Sequence, residues 1–213
     1  MQKDIADIRK DYKLRSLLES DVEPDPIKQF QLWWNEAIKS NIEEPNAMTL
    51  ATCGKNGKPS ARMVLLKGLS NEGFVFFTNY DSRKGKDLKE NPNACLVFFW
   101  KELERQVRIE GKVEKLSEAK SDEYFILRPE QSRIGAWSSP QSKVIKSREV
   151  LEEMFKKYKQ MFFDGTILRP SNWGGYVVLP AVIEFWQGRP NRLHDRIQYT
   201  LANGKWKIER LAP

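Results

Sequence analysis

The sequence predicts a mainly β fold with flanking helices, an antiparallel meander that curls into a barrel. Three observations predict it: short runs of branched and aromatic residues, a turn signal between nearly every consecutive pair of runs, and two amphipathic helical patterns that stand apart from them. The whole of 1–213 reads as one domain. No internal repeat, low-complexity stretch or long linker divides it, and at this length roughly 70% of the unfolded chain's surface can be buried.

Taken in order, the chain opens on Asp4 to Glu19, where Ile5, Ile8 and Tyr12 recur at helical spacing against a densely charged opposite face. This predicts an amphipathic helix that is mobile. Asp25 as N-cap and Pro26 at the first helical position open a stronger helix with Ile27, Phe30, Trp34, Ala37 and Ile38 as its buried stripe. Ala47 to Cys53 and Pro59 to Lys67 form a hairpin across Gly54-Lys55-Asn56-Gly57. After Asn71-Glu72-Gly73 comes the strand Phe74 to Thr78, then a short helix capped by Ser82 and running through Leu88. Ala94 to Trp100 and Arg105 to Leu116 pair across residues 101–104. Ser117 to Leu127 is helical and stops before Pro129, since proline disfavours the α conformation in the residue preceding it. Gln131 to Ser142 reads as irregular. Ser147 to Phe163 is a clear helix with Val150, Leu151, Met154, Phe155, Tyr158, Met161 and Phe162 on one side. Tyr176 to Leu179 and Val182 to Trp186 are strands, and Arg196 to Leu201 pairs with Lys205 to Leu211 across Ala202-Asn203-Gly204.

Composition narrows the function. Hydrophobic residues make up 40% of the 213, with seven Trp, eleven Phe and six Tyr, so a negative mean hydropathy does not signal disorder. Thirty-six Lys and Arg against 29 Asp and Glu leave a net charge of +7, which favours anionic partners. The basic residues are dispersed, with no run of like charge that marks a nucleic-acid tail. Cys53 and Cys95 lie in apolar strands without CxxC spacing and read as buried free thiols of a reducing compartment. One histidine and two distant cysteines make a zinc site improbable. With no signal-peptide pattern and no 18-residue apolar run, the expectation is a cytoplasmic protein without a membrane partner.

The densest chemistry lies in Ile183 to Arg196, IEFWQGRPNRLHDR. If the stretch after Asn191 is extended, Arg192, His194 and Arg196 share one face and can grip an anion, and His194 titrates near neutrality from an unperturbed value of about 6.5. The alternative is that Arg192 and Arg196 form surface ion pairs with Asp195 and Glu184. In Arg62 to Lys67 the two terminal cations differ in parity, so a regular strand sends them to opposite faces toward two anions, or else both simply reach water. Ser82-Arg83-Lys84 begins a helix, where free backbone N–H groups favour phosphate, though a plain cap beside solvated cations fits as well. Gln106 is a polar strand residue that can face a ligand or solvent. Tyr124, Arg128 and Ser132 recur every four residues and offer phenol, guanidinium and hydroxyl to one phosphate. Gln141 and Ser142 add an amide and a hydroxyl in a loop, where such groups are commonly only solvated. No Walker loop, GxGxxG or GxSxG is present, which excludes the commonest triphosphatase, Rossmann and serine-hydrolase patterns.

The segments ARMVLLKG, FFTNYDSRKGKDL, ERQVRIEGKVEKL, YFILRPEQSRIGAWSSPQS, NWGGY, IEFWQGRPNRLHDR and ERLAP, in this order, resemble the pyridoxamine 5'-phosphate oxidase family over nearly the whole chain. The resemblance implies an FMN-binding split β-barrel working as a homodimer with flavin sites between subunits. It further implies oxidation of pyridoxamine 5'-phosphate and pyridoxine 5'-phosphate by dioxygen to pyridoxal 5'-phosphate, with release of hydrogen peroxide. By position, Arg62, Met63, Val64, Leu65, Leu66, Lys67, Phe77, Thr78, Arg83, Lys84, Gln106, Gln141, Ser142, Trp186 and Arg196 hold FMN in such a protein. Lys67, Tyr124, Arg128 and Ser132 hold the substrate phosphate, while Arg192, Leu193 and His194 meet its ring, Arg192 and His194 being the catalytic candidates. Arg9, Lys10, Asp11 and Tyr12 match a segment that closes over the site, within a mobile lid over residues 1–20. No metal is implied. Phe77 stands where some members have Tyr, and Ile126-Leu127 replaces a more polar pair.

Overall fold

The computed structural model describes residues 4–5, 10–70, 73–163 and 165–213. Asp25 opens α1 (Pro26–Lys39): its carboxylate accepts the Ile27 N–H at 2.8 Å, and Pro26 occupies a position whose N–H has no helical partner to lose. The buried stripe is Ile27, Phe30, Trp33 and Ala37. Trp33 therefore replaces Trp34 as the buried tryptophan, and Ile38 is 50% exposed, because a period of 3.6 carries position 38 off the edge of a stripe centred on 30 and 37.

The helix expected over Asp4 to Glu19 is absent from residues 10–18, and Glu19–Asp21 makes a 3-10 turn. The backbone N–H groups of Lys13 and Leu14 instead donate to the Glu104 carboxylate, and that of Leu17 to Asp195. Distant carboxylates take the donors that a helix would have satisfied internally.

Among the described residues nine strands form one sheet: β1 (Ala47–Cys53), β2 (Pro59–Leu65), β3 (Gly68–Ser70), β4 (Gly73–Asn79), β5 (Asn93–Trp100), β6 (Arg105–Lys115), β7 (Trp173–Gln187), β8 (Asp195–Ala202) and β9 (Lys205–Arg210). The order is β2-β1-β5-β6-β7-β4-β3, with β8 between β7 and β9. The two runs read separately as Tyr176 to Leu179 and Val182 to Trp186 are one 15-residue strand, β7. Its first half pairs antiparallel with β4, from Asn79↔Trp173 to Phe74↔Val178, and its second half with β8, from Val182↔Thr200 to Gln187↔Asp195. Pro180 falls between these two ladders, where its missing N–H breaks neither. The β8–β9 hairpin closes through Asn203 and Gly204, at φ 50° and 74°, the left-handed pair that a two-residue turn needs.

The other helices are α2 (Arg83–Glu90), α3 (Glu118–Ile126), α4 (Glu130–Ser138) and α5 (Arg148–Met161). Helix α4 lies where the sequence predicts irregular structure. Gly135 lowers its propensity, but burial of Ile134 against Phe125, Ile167 and Trp173 overrides that weak preference. On α5, Phe155 and Tyr158 pack against this cluster as expected, whereas Met161 is 68% exposed.

The chain divides into two compact units: Met1–Thr49 with Cys95–Glu110 and Pro180–Pro213, and Leu50–Ala94 with Gly111–Leu179. Both are assembled from separated segments, and β1, β5, β6 and β7 supply residues to each. The first unit packs Trp33 edge-on to Phe185, and Phe30 against Phe98 and Trp100. The second is built on the Phe125, Ile134, Ile167 and Trp173 cluster. Cys53 and Cys95 are free and half-buried. Among the described residues no helix is long and apolar enough to cross a membrane.

Candidate active site

In the second unit, the end of β4, the start of α2 and the loop after α4 bring Thr78, Lys84 and Gln141 together. The Ser82 hydroxyl caps α2 by accepting the Gly85 N–H at 3.3 Å and donates to the Asn79 carbonyl at 2.7 Å, which fixes the first turn. Lys84, 9% exposed, then points its ammonium at Gln141 Oε1 (3.0 Å), Thr78 Oγ1 (3.1 Å) and Ser82 Oγ (3.4 Å). Burial, and then the nearby Arg62 charge, push its pKa down to about 8. Arg62 on β2 does not trail into solvent: it donates to the Leu50 carbonyl, Thr52 Oγ1 and Ser60 Oγ, and lies 3.9 Å from Asp87. The parity argument for Arg62 and Lys67 fails because β2 ends at Leu65, so Lys67 is not on a regular strand.

A cleft of about 290 Å³ is lined by Met63, Val64, Leu65, Lys67, Phe77, Thr78, Lys84, Tyr124, Arg128, Gln141 and Trp173. Its flat wall is aromatic: Phe77 stacks on Tyr124 at 3.9 Å and 13°, and lies nearly parallel to Trp173 at 5.4 Å. The Arg128 guanidinium lies 4.6 Å from the Trp173 ring centre, and its buried Nη1 has no hydrogen-bond partner among the described residues. A second cleft of about 280 Å³ shares Arg128, Gln141 and Trp173 and adds Asn79, Ser132, Gly135, Ala136 and Ser139. Tyr124 and Ser132, expected around one phosphate with Arg128, thus line different clefts that meet at Arg128. The break between α3 and α4 at Pro129 interrupts the four-residue spacing that grouped them. Leu66 is buried, while Arg83 and Ser142 are exposed neighbours of Lys84 and Gln141.

The first unit holds the other set. His194 lies 4.6 Å from the Trp186 ring and 5.9 Å from that of Tyr12, and its Nδ1 accepts the Arg189 N–H at 3.1 Å. Burial, then the Arg192 charge, lower its pKa against the opposing pull of Asp195. Arg192 does not share the face of His194 and Arg196 as an extended chain would have it. Pro190–Arg192 forms a 3-10 turn, Arg192 has φ 62°, and β8 begins only at Asp195. Arg192 and Leu193 are exposed, and among the described residues Arg192 pairs with no carboxylate.

The alternative ion-pair reading holds for Arg196, though its partner is not at the surface. Arg196 Nε donates to Glu184 Oε1 at 2.7 Å, Arg108 holds Oε2 at 2.8 Å, and the Glu184 side chain is 2% exposed. Burial alone would raise the Glu184 pKa; the hydrogen bonds from Arg196 and Arg108 outweigh it and lower the net value. Asp195 pairs with Arg189 and Arg210 instead. Gln106 is half-buried on β6. Lys10 pairs with Glu104 and Asp11 with Lys13, while Arg9 lies outside the described residues. Sequence reasoning missed Trp173 and Glu104: a Trp before two glycines and a Glu in a polar turn carry no signal of the partners that the fold brings to them.

Fold and site together define a mainly β protein with a cationic, aromatic-walled cleft, suited to a planar compound that carries an anionic group. Residues 34–162 match the family model described as pyridoxamine 5'-phosphate oxidase, and residues 173–213 match one described as the pyridoxine 5'-phosphate oxidase C-terminal dimerisation region. A pyridoxine/pyridoxamine 5'-phosphate oxidase of Cyanothece sp. is 57% identical over 98% of both chains, and one of Nostoc punctiforme is 58% identical over 100% of both. The structure of PhzG from Burkholderia lata 383, in complex with tetrahydrophenazine-1-carboxylic acid, superposes with a TM-score of 0.88 at 28% identity, covering 94% of this chain and 99% of that one. The protein belongs to the pyridoxamine 5'-phosphate oxidase family, oxidoreductases of the split-barrel fold.

Proposed function

We propose that this protein is an FMN-dependent oxidase that converts pyridoxine 5'-phosphate and pyridoxamine 5'-phosphate to pyridoxal 5'-phosphate, consuming dioxygen and releasing hydrogen peroxide, and ammonia from the amine. The observation that carries the reading is Lys84 and Arg128 in one cleft beside a flat aromatic wall, neither paired with a carboxylate among the described residues. Cations held only by neutral acceptors keep their full attraction for a phosphate. The unpartnered Nη1 of Arg128 fits the same demand, since a buried donor costs about 1–3 kcal/mol until it finds an acceptor. The named relatives at 57% and 58% identity support the substrate class.

When bound, FMN would supply the redox chemistry, the two-electron oxidation of the substrate at C4' with dioxygen as the final acceptor. The chain's part is to bind the two rings and orient them toward one another. Arg62, Thr78, Arg83, Lys84, Gln141 and Ser142 hold the flavin with the 63–67 segment and Phe77, joined by Gln106, Trp186 and Arg196. Lys67, Tyr124, Arg128 and Ser132 hold the substrate's phosphate. Arg192 and His194 place its ring; because Nδ1 accepts the Arg189 N–H, the neutral imidazole carries its proton on Nε2 and offers that nitrogen to the substrate as a hydrogen-bond donor. Lys10, Asp11 and Tyr12, together with Arg9, cover the bound substrate. The working form in this reading is a cytoplasmic homodimer with flavin sites between its subunits, in keeping with the dimerisation region matched at 173–213.

The test is the visible absorption spectrum of the purified protein, followed by oxygen uptake on adding pyridoxine 5'-phosphate. Flavin bands and uptake are expected. A colourless protein overturns the reading, and a yellow one inert to both B6 phosphates moves the substrate toward the carboxylate class bound by PhzG. Arg192→Ala and His194→Ala should each lower turnover or raise KM; no effect of either removes their assignment.

A further inference from the structure

We propose that Glu104 is a positioning residue, a buried latch that holds the 10–14 segment so that Tyr12 packs on His194 and Trp186. Glu104 ends the turn between β5 and β6 with φ 54°, a left-handed backbone that a non-glycine residue keeps only when its surroundings demand it. Its side chain is 3% exposed, yet the carboxylate is fully engaged. Oε2 accepts the Lys13 N–H at 2.8 Å and the Leu14 N–H at 3.1 Å, while Oε1 meets Lys10 Nζ at 3.2 Å. The Glu104 carbonyl meanwhile accepts the Gly188 N–H at 2.8 Å and Gln187 Nε2 at 3.2 Å. One residue thus ties the N-terminal segment to the end of β7, where the loop carrying Arg192 and His194 begins.

Between those two attachments sits Tyr12. Its ring centre is 5.7 Å from that of Trp186, edge-on, and 5.9 Å from that of His194. A Cβ on Gly188 would meet Tyr12 Cγ at 2.6 Å and Cβ at 2.7 Å, atoms too near the tyrosine backbone to swing aside, so only glycine admits the ring here. The charged groups around His194 are Arg192 and Asp195, with the Arg189 N–H on Nδ1, and Lys10 lies 5.6 Å from the Tyr12 ring centre. Tyr12 therefore contributes to the burial that lowers the imidazole pKa, and Glu104 acts on it through the segment.

The chain has one histidine, so its imidazole signals in NMR report on His194 without assignment. On the whole purified protein, Glu104→Gln and Gly188→Ala should each shift these signals toward those of Tyr12→Ala and raise the imidazole pKa. Trypsin should cleave after Lys13 faster in each than in the wild type. Glu104→Gln added to Tyr12→Ala should not shift the imidazole signals further, because the ring that the latch positions is already gone, whereas cleavage after Lys13 should still rise as the Lys13 and Leu14 N–H groups lose their carboxylate. Should Glu104→Gln fail to fold, Glu104→Asp keeps the buried charge, withdraws it by one methylene and is expected to give the same displacement. Wild-type signals and cleavage in a folded Glu104 variant would overturn the latch. The kinetic arm rests on the proposed oxidase reading: kcat/KM for pyridoxine 5'-phosphate should fall about tenfold in Glu104→Gln, the scale of weakened hydrogen bonds to a charged group. An inactive wild type would defeat that reading alone, since the NMR and trypsin arms need neither flavin nor turnover.

Discussion

Lys84 stands among three neutral oxygens with its pKa pushed down to about 8, chiefly by burial. Because the folded value lies below the unfolded one, the unfolded chain binds more protons from about pH 8 to about 10.5, so the penalty of the buried charge is full below that window and relieved as pH rises through it. A phosphate on Lys84 has the opposite dependence. Inorganic phosphate should therefore bind more weakly as pH rises through about 8, and Lys84→Met should abolish that limb and cost roughly tenfold to a hundredfold in affinity, read by calorimetric titration. Glu184 makes a different residue-scale case: its carboxylate neutralises both Arg108 and Arg196. Glu184→Ala should destabilise the protein by about 1–3 kcal/mol in urea denaturation by leaving the partly buried Arg196 without a carboxylate while Arg108 keeps Glu110, and Glu184→Gln by less. Arg196 also shows why spacing alone left two readings of this stretch open: the cation and Glu184 as its partner were legible, but the burial of that carboxylate and its second partner, Arg108, were not.

At the scale of elements, α1, α2, α3 and α5 were legible because each carries its own start signal or apolar period. Asp25-Pro26, Ser82 and Ser117 all cap helices, and the Asp25, Ser82 and Ser117 side chains accept the expected backbone N–H groups. Helix α4 was not, since Gly135 and the flanking Ser and Pro residues mimic a loop and its stability comes from Ile134 packing into a cluster drawn from distant segments. Gly135 has an ordinary φ and a substituted Cβ there meets nothing within 4 Å. Gly135→Ala should therefore raise stability by about 0.5–1 kcal/mol through helix propensity, measurable as a higher urea midpoint. In the proposed reading the added methyl also intrudes on the cleft containing Ser132, so KM for the phosphorylated substrate should rise in the same variant. The N-terminal segment is the converse case: Ile5, Ile8 and Tyr12 have helical spacing, but the buried carboxylate of Glu104 and the half-buried one of Asp195 outcompete helical hydrogen bonds for its N–H groups.

For the whole molecule, the C-terminal dimerisation region matched at 173–213 covers β7, β8 and β9, with Trp186 on β7, Arg196 on β8 and His194 in the connection between them. If flavin sites lie between subunits, light scattering should give twice the mass of one chain, and flavin release on dilution should track dissociation rather than precede it. Flavin that stays bound to a monomer would refute the shared site. By itself the sequence determined the mainly β class, the order of most elements, the family and the residues that carry charge and rings, because these depend on local propensity, short-range spacing and residue type. Only the tertiary structure decided which of those residues meet. Arg128 joining two clefts, Glu184 neutralising two arginines and Glu104 holding the segment of Tyr12 all depend on contacts between segments far apart in the chain, and no local pattern encodes such pairings.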